Sequence, residues 1–209
     1  MATRTYNSEL RHRKQAELKA RIAAAAAGLH AQKGATATSY AEIATKAKVS
    51  LPTVYAHFPN QRELLQGCTA HVAAKAPPLP VEQLLGASTL RDAAELLVSA
   101  IEQQHLYFEP WLAWREDRVI PFLAELSGRA REDLAALIAR VLRRHLGAGE
   151  HREAVAGWES VLSFDSWHRL ARAHGLSLPA VRRVMARYLR ALAGPQEVTE
   201  TKRISRRNR

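Results

Sequence analysis

The chain has 209 residues, 47% of them hydrophobic, which is enough to bury a core in one large or two small domains. Its formal net charge of +11 favours a polyanionic partner, nucleic acid first and an anionic membrane second. The single cysteine, Cys68, excludes an intrachain disulfide, and no apolar run approaches the roughly 18 residues of a membrane span, so a soluble cytoplasmic protein is expected.

The residue pattern predicts an all-α chain, because Ala, Leu, Arg and Glu dominate and alternating β-type segments are absent. Residues 1–14 are predicted to form a basic arm, which is either a solvated charged end or a contact to a DNA groove or phosphate. Residues 15–75 then hold a first helix that runs to about Lys33 and stops at Gly34.

Capping patterns predict three further helices in this segment. Ser39 and Glu42 have the spacing of a capping box, with serine at the N-cap and glutamate three residues later. Ser50 can cap a third, short helix. Asn60 and Glu63 repeat the capping-box spacing and predict the start of a fourth helix.

The segment APPLP, residues 76–80, marks a boundary or tight connector, and residues 81–195 are predicted to form a second helical domain. Two helices are expected at about Arg152–His174 and Leu178–Leu192. On the last helix, arginines are expected to point outward, and the inward residues are Val181, Val184, Met185, Tyr188, Leu189 and Leu192. Residues 196–209 are predicted to be a basic, disordered tail.

The two short helices on either side of Lys48 have the length and spacing of a helix-turn-helix. In that motif the second helix enters the major groove, where its N-terminal residues reach base edges, and longer side chains bind phosphates. Val54 and Phe58 would hold this helix on its scaffold, while Tyr55 and His57 would reach phosphates. The predicted DNA-binding residues are Ser39, Lys48, Ser50, Leu51, Pro52, Thr53, Tyr55, His57, Asn60, Gln61 and Arg62.

Residues 15–70 resemble the DNA-binding domain of TetR-type (tetracycline-repressor-like) transcriptional regulators. The motifs that carry the resemblance are Gly34, Thr38-Ser39, Ile43-Ala44, Val49-Ser50, Thr53-Val54-Tyr55, His57-Phe58-Pro59 and Leu64-Leu65. The resemblance implies a repressor that binds a palindromic operator on double-stranded DNA and is released by a small molecule. It also implies a homodimer formed through the last two helices.

The chain departs from the family pattern at two positions that bear on DNA binding. Lys48 stands where family members usually have a small residue, often glycine, so a positive φ there would strain the turn. Gln61 stands where a lysine is usual, and Arg62 beside it is the alternative cation for a phosphate.

The aromatic residues of the second half have two interpretations, core packing or the walls of a pocket for a small apolar or aromatic effector. The candidate effector residues are His105, Glu109, Trp111, Trp114, Phe122, Trp158, Trp167 and His168. His105, His145, His168 and His174 lie on separate segments or at spacings unlike those of metal ligands, so no metal site is expected. No cofactor is expected, and no catalytic constellation stands out, so an enzyme is not expected. The competing function is that of an architectural protein that binds DNA through charge alone, without an effector.

Overall fold

The computed structural model describes residues 2–193, with side chains from residue 9 onward. The regular structure of this part of the chain is helical throughout, so the predicted all-α fold is confirmed. The helices are α1 (Ala2–Lys33), α2 (Tyr40–Ala47), α3 (Leu51–His57), α4 (Gln61–Ala73), α5 (Val81–Gly86), α6 (Leu90–Leu112), α7 (Pro121–Leu146), α8 (Arg152–Leu162), α9 (Phe164–His168) and α10 (Leu178–Leu192). None of them combines the length and apolar character needed to cross a bilayer. The predicted disordered tail, residues 196–209, lies outside the described residues.

The first helix starts earlier than the sequence predicted. α1 begins at Ala2, so the residues predicted as a separate arm continue the helix. The reason is that neither proline nor glycine occurs before Gly28, and the residues between are mostly good helix formers. The predicted stop is confirmed, since Gly34 has φ 82° and its N–H donates to the carbonyl of His30 at 2.9 Å.

Side-chain caps fix the starts of α2, α3 and α4. The Ser39–Glu42 capping box is complete: Ser39 Oγ accepts from Glu42 N at 3.3 Å, and the Glu42 carboxylate accepts from Ser39 N at 2.9 Å. Ser50 caps α3 as predicted. The second predicted box is only half formed, because Glu63 accepts from the side-chain amide of Asn60 instead of its backbone N–H.

The turn between α2 and α3 forces a lysine into a left-handed conformation. Lys48 has φ 54° and ψ 51°, as the departure from the family pattern suggested. Its N–H donates to the carbonyl of Thr45 at 3.1 Å, and Val49 N donates to that of Ala44 at 3.0 Å. These are the two hydrogen bonds of a Schellman motif, whose left-handed position favours glycine.

We therefore expect Lys48→Gly to raise the free energy of unfolding by up to about 1 kcal/mol, because glycine adopts this conformation without strain. Chemical denaturation measures the change. Lys46→Gly, in the last turn of α2, is the matched control and should instead lower stability by about 1 kcal/mol. A clear loss of stability in the Lys48 variant would contradict the strained turn.

The described chain forms two compact units, each built from separate stretches of sequence. Unit 1 comprises the residues up to Pro78 together with Gln103–Ala130, and unit 2 comprises Leu79–Glu102 together with the residues from Arg131 onward. α6 and α7 therefore each contribute one end to unit 1 and the other to unit 2. The sequence predicted that the second domain would contain all of residues 81–195. It did not predict that α6 and α7 would each be divided between two units.

Unit 1 has an apolar core that draws on both of its stretches. The N-terminal stretch supplies the fully buried Ile22, Ile43 and Val54, among others. The second stretch adds buried Ile120 and a group of partly buried side chains packed against the core: Tyr107, Phe108, Trp111, Phe122 and Leu123. The core of the helix-turn-helix is thus completed by residues that lie 34 to 50 positions beyond Ala73, the last residue of α4.

Unit 2 is built around α8 and α10, and it departs from the sequence prediction in one helix. The helix predicted from about Arg152 to His174 is broken at Ser163, whose extended backbone and side-chain bond to Ser166 N at 3.2 Å start a new helix. A π-helical turn, Arg169–Ala173, follows α9. The extended backbone of Ser163 ends α8, and its side chain accepts from Ser166 N, which would otherwise lack a partner at the start of α9.

The predicted faces of α10 are only partly right. Val181, Met185 and Leu189 are buried as expected, but Tyr188 is 57% exposed and Leu192 43% exposed. Arg182, predicted to point outward, is bonded to the buried carboxylate of Glu102 at 2.8 Å. A buried carboxylate needs a cationic partner, which explains why this arginine turns inward.

Candidate nucleic-acid interface

The third helix combines a buried side with an exposed side, as a recognition helix must. Val54 is 0% exposed and Phe58, the residue after the end of α3, is 1% exposed, which fixes the helix on the core of unit 1. On the other side Leu51 is 39% exposed and Pro52 is also exposed. Thr53 is half-buried, and its hydroxyl lies 2.7 Å from that of Ser50. The predicted base-contacting residues therefore lie at the N-terminal end of α3.

Phe58 is held by a close fit against α4. A Cβ built on Gly67 would lie 2.5 Å from the Phe58 ring, closer than real Cβ contacts come. The ammonium of Lys19 lies 5.3 Å from the centre of the same ring. The absence of a side chain at Gly67 thus lets α4 approach the residue that anchors the end of the recognition helix.

Tyr55 stacks on another tyrosine, a contact that was not predicted from the sequence. Its ring stacks on that of Tyr40 with centroids 4.7 Å apart and planes 16° from parallel. Burial, foremost, raises the pKa of Tyr40. The stack joins the first residue of α2 to the exposed side of α3, and so restricts the orientation of the Tyr55 side chain, which is 48% exposed.

The remaining predicted DNA-binding residues surround α3 at its two ends. Lys48, Asn60 and Gln61 are exposed, and His57 is half-buried. The side-chain oxygens of three predicted residues cap helices: Ser39 for α2, Ser50 for α3 and Asn60 for α4. Their role in binding phosphates stays a prediction, while their structural role is to start the helices that carry the other candidates.

Arg62 is already paired within the chain. Its Nη1 and Nη2 donate to the two carboxylate oxygens of Glu125 at 3.2 and 2.7 Å. Its guanidinium carbon also lies 5.3 Å from the centre of the Phe122 ring. The pairing raises the pKa of Arg62 and lowers that of Glu125, in each case chiefly through the side-chain hydrogen bonds. Phe122, a predicted effector residue, thus packs beside a predicted DNA contact.

Three aromatic side chains from the C-terminal end of α6 and the turn after it bind the backbone of α1 and α4. Trp111 Nε1 donates to the carbonyl of Ala27 at 2.8 Å, and Trp114 Nε1 to that of Ala31 at 3.3 Å. Tyr107 donates its hydroxyl to the carbonyl of Val72 at 2.7 Å. The two tryptophans predicted to contact an effector therefore attach to the helix-turn-helix helices, and effector binding by them stays a prediction.

A single carboxylate holds the loop that precedes α2. Glu116 accepts hydrogen bonds from the backbone N–H groups of Ala35 and Thr36 and from the Thr36 hydroxyl, each at 2.7 Å. Burial raises the pKa of Glu116, but these hydrogen bonds outweigh it and hold the pKa below its ordinary value. The sequence predicts only a solvated helix face at Glu116, because a glutamate in a charged stretch carries no signal of a partner 80 residues away.

A buried histidine and the cysteine share the interior of unit 1. His30 Nδ1 lies 3.5 Å from Cys68 Sγ. Burial, the largest cause, lowers the pKa of His30, while the charge of Glu116 raises it. Burial also raises the pKa of the Cys68 thiol to about 12. The thiol is therefore protonated at neutral pH and acts as a small apolar side chain.

The other predicted effector residues are distributed between the units. His105 and Glu109 are half-buried in the unit 1 part of α6. In unit 2, Trp158 is fully buried and donates Nε1 to the carbonyl of Leu189 at 2.8 Å. Trp167 is also fully buried, and His168 lies beside it with ring centroids 6.5 Å apart. Buried tryptophans with filled surroundings are what core packing requires, and a ligand role for them stays a prediction.

Comparisons with known proteins agree with this geometry. A family model described as "Bacterial regulatory proteins, tetR family" matches residues 22–68, which include α2, α3 and the turn between them. The crystal structure of a transcriptional regulator from Rhodococcus sp. Rha1 shares the fold, with a TM-score of 0.64 and 16% sequence identity. The alignment covers 83% of this chain and 95% of that one. A search of curated proteins found no match. Residues 22–68 thus match the helix-turn-helix domain of bacterial regulatory proteins of the tetR family, and most of the chain has the fold of a solved transcriptional regulator.

Proposed function

We propose that this regulator represses transcription by binding a two-fold symmetric operator as a homodimer. The observation that carries the proposal is the exposed N-terminal end of α3, where Leu51 and Pro52 stand clear of the core while Val54 is fully buried. Such an arrangement can insert a helix into the major groove without uncovering its own scaffold. The formal charge of +11 supplies the attraction to phosphates that any such contact needs.

The exposed apolar residues of α10 support the homodimer. Tyr188 and Leu192 are one helical turn apart, so they share a side of the helix. Leu192 also packs near Gly157 of α8, where an added Cβ would lie 3.0 Å from Leu192 Cδ1. These exposed apolar side chains of α10 are suited to pack against the same side chains of a second chain, because a two-fold interface is formed by identical surfaces.

The proposed release by a small apolar or aromatic effector rests on the family resemblance and on the aromatic residues of the second half. A ligand can release DNA only if it binds the DNA-free conformation more tightly than the DNA-bound one. Loss of the operator complex on addition of such a compound, in the same concentration range as its binding, would support this step.

Footprinting on the DNA that flanks the chain's own gene tests the proposal. A homodimer should protect two half-sites about one helical turn, roughly 34 Å, or somewhat more apart, with two-fold symmetry. Protection should survive an excess of random-sequence DNA, because specific affinity exceeds nonspecific affinity by several orders of magnitude. An asymmetric footprint would contradict the dimer, and uniform, easily competed protection would favour the architectural DNA-binding alternative.

We expect substitutions along α3 to separate base recognition from phosphate binding. Leu51→Ala should change the preferred base at one position in each half-site, with a loss of about 1–3 kcal/mol on the original sequence. Tyr55→Phe keeps the stack on Tyr40 and removes only the hydroxyl, so it should weaken binding to all sequences evenly, as should His57→Ala. Binding measured across a library of single-base operator variants distinguishes the two patterns. A changed base preference in the His57 variant would contradict these roles.

A further inference from the structure

The strongest unassigned feature of unit 1 is the way the N-terminal end of α7 holds Arg62. Glu125 binds both terminal nitrogens of the guanidinium, and Phe122, three residues earlier, lies against it. Residues three apart share a side of a helix, so one face of α7 presents an aromatic ring and a carboxylate to a single arginine. This is the geometry in which arginine recognises planar, doubly acceptor groups.

Arg62 is also placed where a DNA phosphate would meet it. It is the second residue of α4, the helix that is separated from the recognition helix by three residues. The side chain is 58% exposed, and the N-terminal end of a helix favours anions. Gln61 beside it is uncharged, so Arg62 supplies the positive side chain of this first turn. A phosphate offers the same pair of oxygens that Glu125 now supplies.

We propose that Glu125 is an intramolecular competitor of the DNA phosphate for Arg62, so that the ion pair must open before Arg62 can bind DNA fully. This proposal rests on the function proposed above. Glu125 then lowers the affinity for DNA at a position that touches no base, and its effect is independent of operator sequence. DNA affinity could then be regulated, since a movement of the N-terminal end of α7 away from α4 would free the Arg62 guanidinium from Glu125.

The competing explanation is that Glu125 only fastens α7 to α4. The two side chains of this ion pair are substantially exposed, Arg62 to 58% and Glu125 to 44%. Exposed ion pairs stabilise proteins little. A fastening role predicts that loss of Glu125 weakens DNA binding or leaves it unchanged. Competition predicts that loss of Glu125 strengthens DNA binding, and only when Arg62 is present.

A double-mutant cycle on the full-length protein tests the proposal. Duplexes carrying the footprinted site and a random-sequence duplex of equal length serve as probes. Glu125→Gln should tighten binding to both about two- to fivefold. Arg62→Gln should weaken binding several-fold and lower the slope of log affinity against log salt by about one. In the Arg62→Gln background, Glu125→Gln should have no effect beyond that of Glu132→Gln, the control, which removes the same charge two turns further along α7.

Two outcomes would overturn the proposal. If Glu125→Gln tightened binding equally with and without Arg62, its effect would be general charge removal and not competition. If Glu125→Gln weakened binding or left it unchanged in a variant that melts like the wild type, Glu125 would be a structural partner only. Failure of the wild type to bind either duplex would overturn the proposed function as well, whereas normal wild-type binding with additive substitutions overturns this inference alone.

Discussion

Gly67→Ala should lower the free energy of unfolding by about 1–3 kcal/mol, although alanine is the better helix former by roughly 1 kcal/mol. The added methyl would lie 2.5 Å from the ring of Phe58, which is 1% exposed. Either Phe58 or α4 must shift, and Phe58 lies at the end of the recognition helix. We therefore expect a loss of operator affinity larger than the loss of stability alone explains.

Gly128→Ala provides the matched control for this prediction. Gly128 also lies inside a helix, and a Cβ there would meet nothing within 4 Å. Alanine should accordingly raise stability by up to about 1 kcal/mol and leave operator binding unchanged. Urea denaturation and operator titrations measure both effects. Equal stabilisation by the two substitutions would show that the contact between Gly67 and Phe58 is looser than described.

Glu116→Gln should cost about 1.5–3 kcal/mol of stability, because three hydrogen bonds to a charged acceptor are replaced by weaker ones and the amide nitrogen faces backbone donors. The loop fixed by Glu116 leads into α2, so the variant should also bind its operator more weakly. The control is Thr36→Val, which removes only the hydroxyl donor and should cost about a third as much.

The effect of Glu116 should depend on pH in a defined direction. Its pKa in the folded protein lies below the ordinary value of 4.5, so its contribution is complete above that value and is lost as the pH falls through the folded-state pKa. The difference in stability between wild type and Glu116→Gln should therefore be constant near neutral pH and shrink in acid. A difference that stays constant down to the acid-unfolding range would mean that the carboxylate charge is not what holds the loop.

The sequence predicted features that arise from neighbouring residues. Ser39 and Ser50 predict the starts of α2 and α3, because an N-cap side chain and the backbone N–H that it accepts from are only three residues apart. The strained turn at Lys48 was expected from the resemblance and is confirmed by its φ of 54°. These local signals were enough to recognise the helix-turn-helix.

Contacts between distant residues could not be predicted in the same way. Trp111 was recognised as a large aromatic residue, but the carbonyl of Ala27 to which it donates is 84 residues away. Arg62 was expected to be available for DNA, and its ion pair spans 63 residues. A single sequence has periodicity and local spacing but no record of which separated residues meet, so the intrachain partners of Trp111 and Arg62 could not be predicted from it.

A helix-turn-helix domain can be exchanged between proteins at a linker only if its core is complete on one side of that linker. In this chain the linker at residues 76–80 would be the wrong place to cut. A fragment ending there would lose Ile120 from its core and the Glu116 carboxylate from the loop before α2. It would also lose the hydrogen bonds that Trp111 and Trp114 donate to backbone carbonyls of α1. Chimeras that keep Gln103–Ala130 with the N-terminal helices should fold, and those joined at residue 78 should be poorly soluble. Because α6 and α7 belong to both units, an exchange of unit 2 has to join the chains within two helices at once.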